Sequence, residues 1–196
     1  MRKPLIGLGK LLFRLRGFTP IPFYVICLIH VRVDLRLFLP GFFLIGVGEF
    51  LRLYSVGYLG ISSRITDRAA TDELVIDGPY RFVRNPIYLG NMLIYLGFAV
   101  LSNVFFPLFP ALTLVFFAFV YSLITRYEES EIRSKFGSNY DEYLRRVPRF
   151  FPLWAVRQPL PAKHQFNIGK AFYSEKVTFF VLIIALAGML LRHFTS

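Results

Sequence analysis

Five apolar runs, each bounded by charge, constrain this chain more than any other feature. They cover residues 18–39, 40–54, 86–101, 108–125 and 175–191. Inside a bilayer every backbone N–H and C=O must be satisfied by the segment itself or by a closed barrel, so runs of this length are read as helices. Hydrophobic residues make up 55% of the chain and charged residues 18%, with 23 Phe, which is too apolar for an ordinary soluble domain of 196 residues. The expected fold is therefore all-α: a single-domain integral membrane bundle of about five transmembrane helices over residues 1–196, with an added helical segment on the cytosolic side.

The net charge of +11 fits either a nucleic-acid surface or positive-inside topology. The apolar runs favour the second, with membrane lipids as partners and no nucleic acid. With the N-terminus inside and five spans, residues 1–17, 52–84 and 126–176 carry 5, 5 and 10 Lys/Arg. The opposite side carries only Arg32, Arg36 and Arg192. This bias places the polar segments on the cytosolic face.

The weakest span is 18–39, which holds Pro20 and Pro22 and ends among Arg32, Asp34 and Arg36. The basic start followed by an apolar run resembles a signal peptide but has no small-residue cleavage pattern, so no cleavage is expected. Residues 1–17 form a basic amphipathic segment suited to the membrane surface, or a frayed topogenic tail. Glu49 and Arg52 stand three apart on one helix face. Gly41, Gly46, Gly48, Gly90 and Gly97 suit close helix packing. Cys27 is the single cysteine, read as a small buried hydrophobe. Neither it nor the three His forms a metal signature, so no metal is expected. Trp154 reads as an interface anchor, and residues 69–76 as a short helix or strand.

Two constellations carry chemistry. The first is Gly78-Pro79-Tyr80-Arg81-Phe82-Val83-Arg84-Asn85-Pro86-Ile87-Tyr88. Asn85-Pro86 reads as an N-cap with proline at the first helical position. The second is Arg126-Tyr127-Glu128-Glu129, followed by Phe136-Gly137, Tyr140, Tyr143 and Val147-Pro148-Arg149. Gly137 reads as a helix stop, and Ser138 with Asp141 as a capping box for a helix to about Arg146. Ser174 reads as the cap of the last helix, within 175–193. Helices 86–101 and 108–125 form a hairpin, so Asn85 and Arg126 should meet at one membrane boundary. Singly, each piece has a bland reading as a helix start, belt residue or solvated face.

Together these motifs resemble the membrane methyltransferases that include isoprenylcysteine carboxyl methyltransferases and bacterial phospholipid and thiol methyltransferases. The resemblance covers residues 50–153 and rests on Gly78-Pro79-Tyr80, Arg84-Asn85-Pro86-Ile87-Tyr88, Arg126 with Glu128-Glu129, Phe136-Gly137-x-x-Tyr140-x-x-Tyr143 and Val147-Pro148. Isoprenylcysteine members carry Arg-His-Pro where this chain has Asn85, and asparagine cannot titrate as histidine does.

The resemblance implies S-adenosylmethionine as methyl donor and a lipophilic acceptor: a prenylcysteine carboxylate, a phospholipid amine, a thiol or an isoprenoid lipid. It implies cofactor contacts from Gly78, Tyr80, Arg84, Asn85, Pro86, Tyr88, Glu128 and Glu129, and catalytic roles for Arg126 and Glu129. It places the protein in a bacterial or archaeal inner membrane with its site facing the cytosol. Alternatives are a non-catalytic scaffold retaining the fold, a related NADPH-dependent reductase, and a transporter, which the near-absence of ionisable residues in mid-span disfavours.

Overall fold

The computed structural model describes residues 3–59, 73–151 and 164–195. Seven helices and no strand occur among them: α1 (Lys3–Leu15), α2 (Ile21–His30), α3 (Leu35–Leu59), α4 (Pro86–Leu101), α5 (Leu108–Phe136), α6 (Ser138–Arg146) and α7 (Ile168–Thr195). A 3-10 turn, Gly78–Arg81, precedes α4. Helices α3, α5 and α7 are long and apolar enough to cross a membrane, and α2 and α4 are shorter apolar helices. The protein is an integral membrane helical bundle, as the apolar runs require.

The bundle has two ends. At one, the α2–α3 link meets the α4–α5 turn and the end of α7: Arg32 N–H donates to Ser102 O at 3.0 Å, and Val33 N–H to His193 Nδ1 at 3.4 Å. At the other, the N-terminus of α4, the outer end of α5, α6 and the start of α7 come together.

Helices α3 and α4 share the tightest interface, through glycines seven apart on each. A Cβ on Gly41 would lie 2.7 Å from Gly97 O, and one on Gly48 would lie 2.6 Å from Gly90 O. With no side chain between them, the two backbones touch, and Ile45 and Ile94 fill the space between the contacts. Gly46 faces open space. Helix α5 continues from its apolar part to Phe136 and stops at Gly137, whose φ of +54° favours glycine.

Several sequence readings change. The run 18–39 is not one span: α2 ends at His30, and α3 begins at Leu35 and passes through Pro40. Ten residues of α2 reach only about 15 Å. Asp34 resets the chain there, its Oδ1 accepting Arg36 N–H at 2.8 Å as an N-cap does. Ser174 caps nothing, because α7 begins at Ile168, where Asn167 Oδ1 accepts Lys170 N–H at 2.8 Å. Ser138 is the first residue of α6 and Gly137 holds the cap position, without a side-chain bond. Asn85 does hold the cap position of α4, but its side chain makes no capping bond. Segment α1 is a helix packed against α5, with the Phe13 and Tyr127 rings 5.6 Å apart. Residues 73–76 are neither helix nor strand; 69–72 and Trp154 lie outside the described residues.

Candidate active site

The two polar constellations meet at the end of the bundle where α4 begins. Backbone bonds tie them first: Arg84 N–H donates to Pro148 O at 2.8 Å, and Asn85 N–H to Arg149 O at 3.2 Å. Tyr143 donates its hydroxyl proton to Tyr80 O at 2.7 Å. Tyr140 and Tyr143 are buried with Ile132 and Val147, so the spaced tyrosines dock α6 onto the bundle. Gly78 has φ +59°, and a Cβ there would collide with the Tyr58 ring, so glycine is required at this turn.

Glu129 is the electrostatic centre of this junction. Arg149 grips it with both prongs, Nε to Oε1 at 3.0 Å and Nη2 to Oε2 at 2.5 Å. Arg84 Nη1 adds a third contact to Oε1 at 3.2 Å. The carboxylate therefore fastens the 84–85 segment to the 148–149 segment. Asp77 plays a parallel part, accepting His164 N–H at 2.7 Å and lying 3.3 Å from Arg81 Nη2.

Beside this junction lies a cleft of about 590 Å³ among α1, α3, α4, α5 and α7. Of the residues assigned to the site from sequence, Tyr88 and Glu128 line it. Tyr80 and Arg84 line a separate space of about 30 Å³ under α6. Gly78, Asn85, Pro86 and Glu129 do not line the cleft, and neither does Arg126, which is half-buried on α5. The Tyr88 ring stacks on Tyr121 with centroids 4.6 Å apart, giving the cleft an aromatic wall.

Much of the cleft comes from residues the motifs do not include. Arg52 donates to Glu175 Oε2 at 2.7 Å and to Thr178 Oγ1 at 3.2 Å, lies 3.3 Å from Glu49, and bonds Asn91. The Glu49–Arg52 pair expected from its spacing thus becomes a four-partner cluster joining α3, α4 and α7. Ser174 Oγ is buried at the same wall with no hydrogen-bond partner among the described residues. Tyr88, Asn91 and Tyr95 follow a three-and-four spacing on α4, and that polar stripe in an apolar helix was the available signal for this face.

The cleft carries Arg16, Arg52, Glu128 and Glu175, two charges of each sign. It adjoins a slot of about 340 Å³ between α2, α4, α5 and α7. Gly17, Pro20, Tyr95 and Leu182 border both spaces. The slot is walled by Phe23, Cys27, Phe98, Phe109, Ala185 and other apolar side chains. A mixed-charge chamber and an apolar slot therefore share one boundary. Among the described residues, no group of three or more His, Cys, Asp or Glu is placed to hold a metal ion.

The chain is 33% identical over 98 residues to a nickel-cobalt-cadmium resistance protein, NccN, of Alcaligenes xylosoxydans xylosoxydans, covering 50% of this chain and 44% of the relative. It is 34% identical over 100 residues to the cobalt-zinc-cadmium resistance protein CzcN of Cupriavidus metallidurans, covering 51% and 44%. It is 32% identical over 110 residues to protein-S-isoprenylcysteine O-methyltransferase of Schizosaccharomyces pombe, covering 55% and 46%. The chain spans less than half the length of each of these relatives. No solved structure matches. The sequence model of the phospholipid methyltransferase family matches residues 36–139, from the first turn of α3 to the first turn of α6, and the chain belongs to that family.

Proposed function

We propose that this protein transfers a methyl group from S-adenosylmethionine to a lipophilic acceptor that enters from the bilayer. The observation that carries the reading is the mixed-charge cleft continuing into an apolar slot. When bound, S-adenosylmethionine supplies a methyl group on a cationic sulfur, open to in-line displacement by a nucleophile.

The residues present fit such a donor. The cleft's 590 Å³ lies within the usual range of about 300–1,000 Å³ for small-molecule sites. Glu128 can accept from an ammonium or from ribose hydroxyls, while Arg16 or Arg52 can meet a carboxylate. The stacked Tyr88 and Tyr121 rings offer π faces to a cation. The buried Ser174 hydroxyl, without a hydrogen-bond partner among the described residues, suits a ligand polar atom. The apolar slot positions an acceptor chain and excludes water from the junction, and that alignment supplies the main acceleration expected for a displacement.

Glu129 and Arg84 act in this reading as positioning residues, because their charged atoms hold the wall rather than face the cleft. The same holds for Gly78, Asn85 and Pro86, which set the start of α4. Arg126 lies on α5 two residues before Glu128, and its proposed role is to steer an acceptor headgroup toward the cleft from outside. The acceptor classes are those the resemblance implies, and the site end of the bundle faces the cytosol.

Calorimetric titration of the purified protein with S-adenosylmethionine and with its demethylated product tests the reading. Saturable binding of both is expected. Folded protein that binds neither would sink it.

A further inference from the structure

The far end of the bundle, away from the cleft, holds a second concavity of about 620 Å³. Three separate chain segments build it: His30 and Arg32 from the α2–α3 link, Asn103 and Phe105 from the α4–α5 turn, and Arg192 and His193 from the end of α7. Among the described residues no carboxylate lines it. The nearest acid in sequence, Asp34, is turned to the start of α3, where its Oδ1 accepts Arg36 N–H at 2.8 Å.

The concavity is built rather than a chance grouping of exposed side chains. Arg32 N–H is bonded to Ser102 O at 3.0 Å, so the link is fastened to the α4–α5 turn. Val33 N–H donates to His193 Nδ1 at 3.4 Å, so the same link is fastened to α7. With Nδ1 accepting, a neutral His193 carries its proton on Nε2 and presents a donor there. The turn beneath is held in an uncommon conformation, with φ of +56° at Asn103 and +42° at Phe105. The His30 and Phe105 rings stand 6.3 Å apart at its edge.

The charge distribution makes this grouping informative. Positive-inside bias leaves only Arg32, Arg36 and Arg192 on this side of the chain's membrane layout. Two of those three arginines, and two of the three histidines in the protein, converge on one concavity although they are about 160 residues apart in sequence. The fold brings these three segments to one end of the bundle; what favours an anionic ligand is that their basic groups line a single concavity with no carboxylate among its described lining residues. Exposed Ile29 lines the concavity, and exposed Leu191 and Phe194 flank Arg192–His193 in sequence, so apolar surface lies beside the basic groups for a ligand's apolar remainder.

We propose that this concavity binds the phosphate of an anionic phospholipid headgroup in the leaflet opposite the cleft. The two guanidiniums supply charge-assisted bonds to phosphate oxygens, the imidazoles and Asn103 supply further donors, and the acyl chains run down the outer faces of α2 and α7. The site is independent of the methyl-transfer reading: the cleft lining ends at Tyr95 on α4 and Leu182 on α7, about 12–15 Å of helix short of Asn103 and Arg192.

The test is native mass spectrometry of the full chain released from nanodiscs containing equal phosphatidylglycerol and phosphatidylcholine. Wild-type protein should retain phosphatidylglycerol preferentially. The double variant Arg32→Gln/Arg192→Gln should lose that preference by about tenfold. Arg36→Gln, a cation at the same end but outside the concavity, should keep it. The thermal midpoint in pure phosphatidylcholine nanodiscs should be unchanged in all three proteins, which separates ligand loss from unfolding. An undiminished preference in the double variant, or an equal loss in Arg36→Gln, would overturn the proposal. Stabilisation of wild type by inorganic phosphate with no phosphatidylglycerol retained would assign the site to soluble phosphate and overturn the lipid assignment.

Discussion

Glu128 and Glu129 are adjacent in sequence and point to different tasks. A helix turns by about 100° per residue, so neighbours cannot share a face. Glu128 lines the cleft, whereas both oxygens of Glu129 are held by Arg149 and Arg84. The two isosteric substitutions should therefore separate. Glu128→Gln is expected to weaken S-adenosylmethionine binding by about tenfold, the value of one charge-assisted contact, with little change in thermal midpoint. Glu129→Gln is expected to destabilise the fold by about 2 kcal/mol, less than for a fully buried pair because Arg149 is partly exposed. Calorimetry and thermal unfolding on both variants check this; equal binding loss at unchanged stability would put Glu129 in the cleft. The acidic pair was plain in the sequence as a feature, but its division of labour was not. Arg149 lies 20 residues away beyond α6, and no local spacing announces a partner across a second helix.

At the scale of elements, α3 and α4 are defined by the glycines they share. Gly48 meets Gly90 and Gly41 meets Gly97, while Gly46 faces nothing within 4 Å. Gly48→Val should push the helices apart, because the obstructing atoms are backbone and cannot rotate away; a cost of about 3 kcal/mol or more is expected. Gly46→Ala should be neutral or stabilising by up to about 1 kcal/mol through helix propensity. Thermal unfolding in detergent distinguishes the two, and equal losses would mean the glycines serve flexibility rather than contact. The seven-residue spacing of Gly90 and Gly97 was legible. The helix ends were less so, because apolarity and helicity stop at different residues. Helix α7 begins at Ile168, several residues before its apolar run, since Asn167 caps it, Lys170 is exposed and Glu175 is paired with Arg52. The long helix α3 runs through Pro40, its sixth residue, where the missing N–H removes one i→i−4 bond to Arg36 O in the second turn.

For the whole molecule, the hairpin's convergence could be read from sequence, but the chamber it faces could not. The cleft needs α7, which lies outside the stretch matching the family, and α7 is joined to α3 by Arg52 and Glu175 across 123 residues. Pairings at that range leave no periodic trace. The resulting division into a charged chamber and an apolar slot makes the two substrates separable. Ala185 is buried in the slot and absent from the cleft lining, and Tyr24 donates its hydroxyl proton to Ala185 O at 2.9 Å. Ala185→Phe would occupy much of the slot while leaving Arg52, Glu128 and Glu175 in place. The expected outcome is unchanged affinity for S-adenosylmethionine by calorimetry and a fall of about tenfold or more in kcat/KM for a long-chain acceptor. A short-chain or soluble acceptor should be affected less, because it does not need the filled volume. Equal losses for long and short acceptors at unchanged donor affinity would show that the slot does not hold the acceptor chain. Lost donor affinity would show that the two spaces are one site.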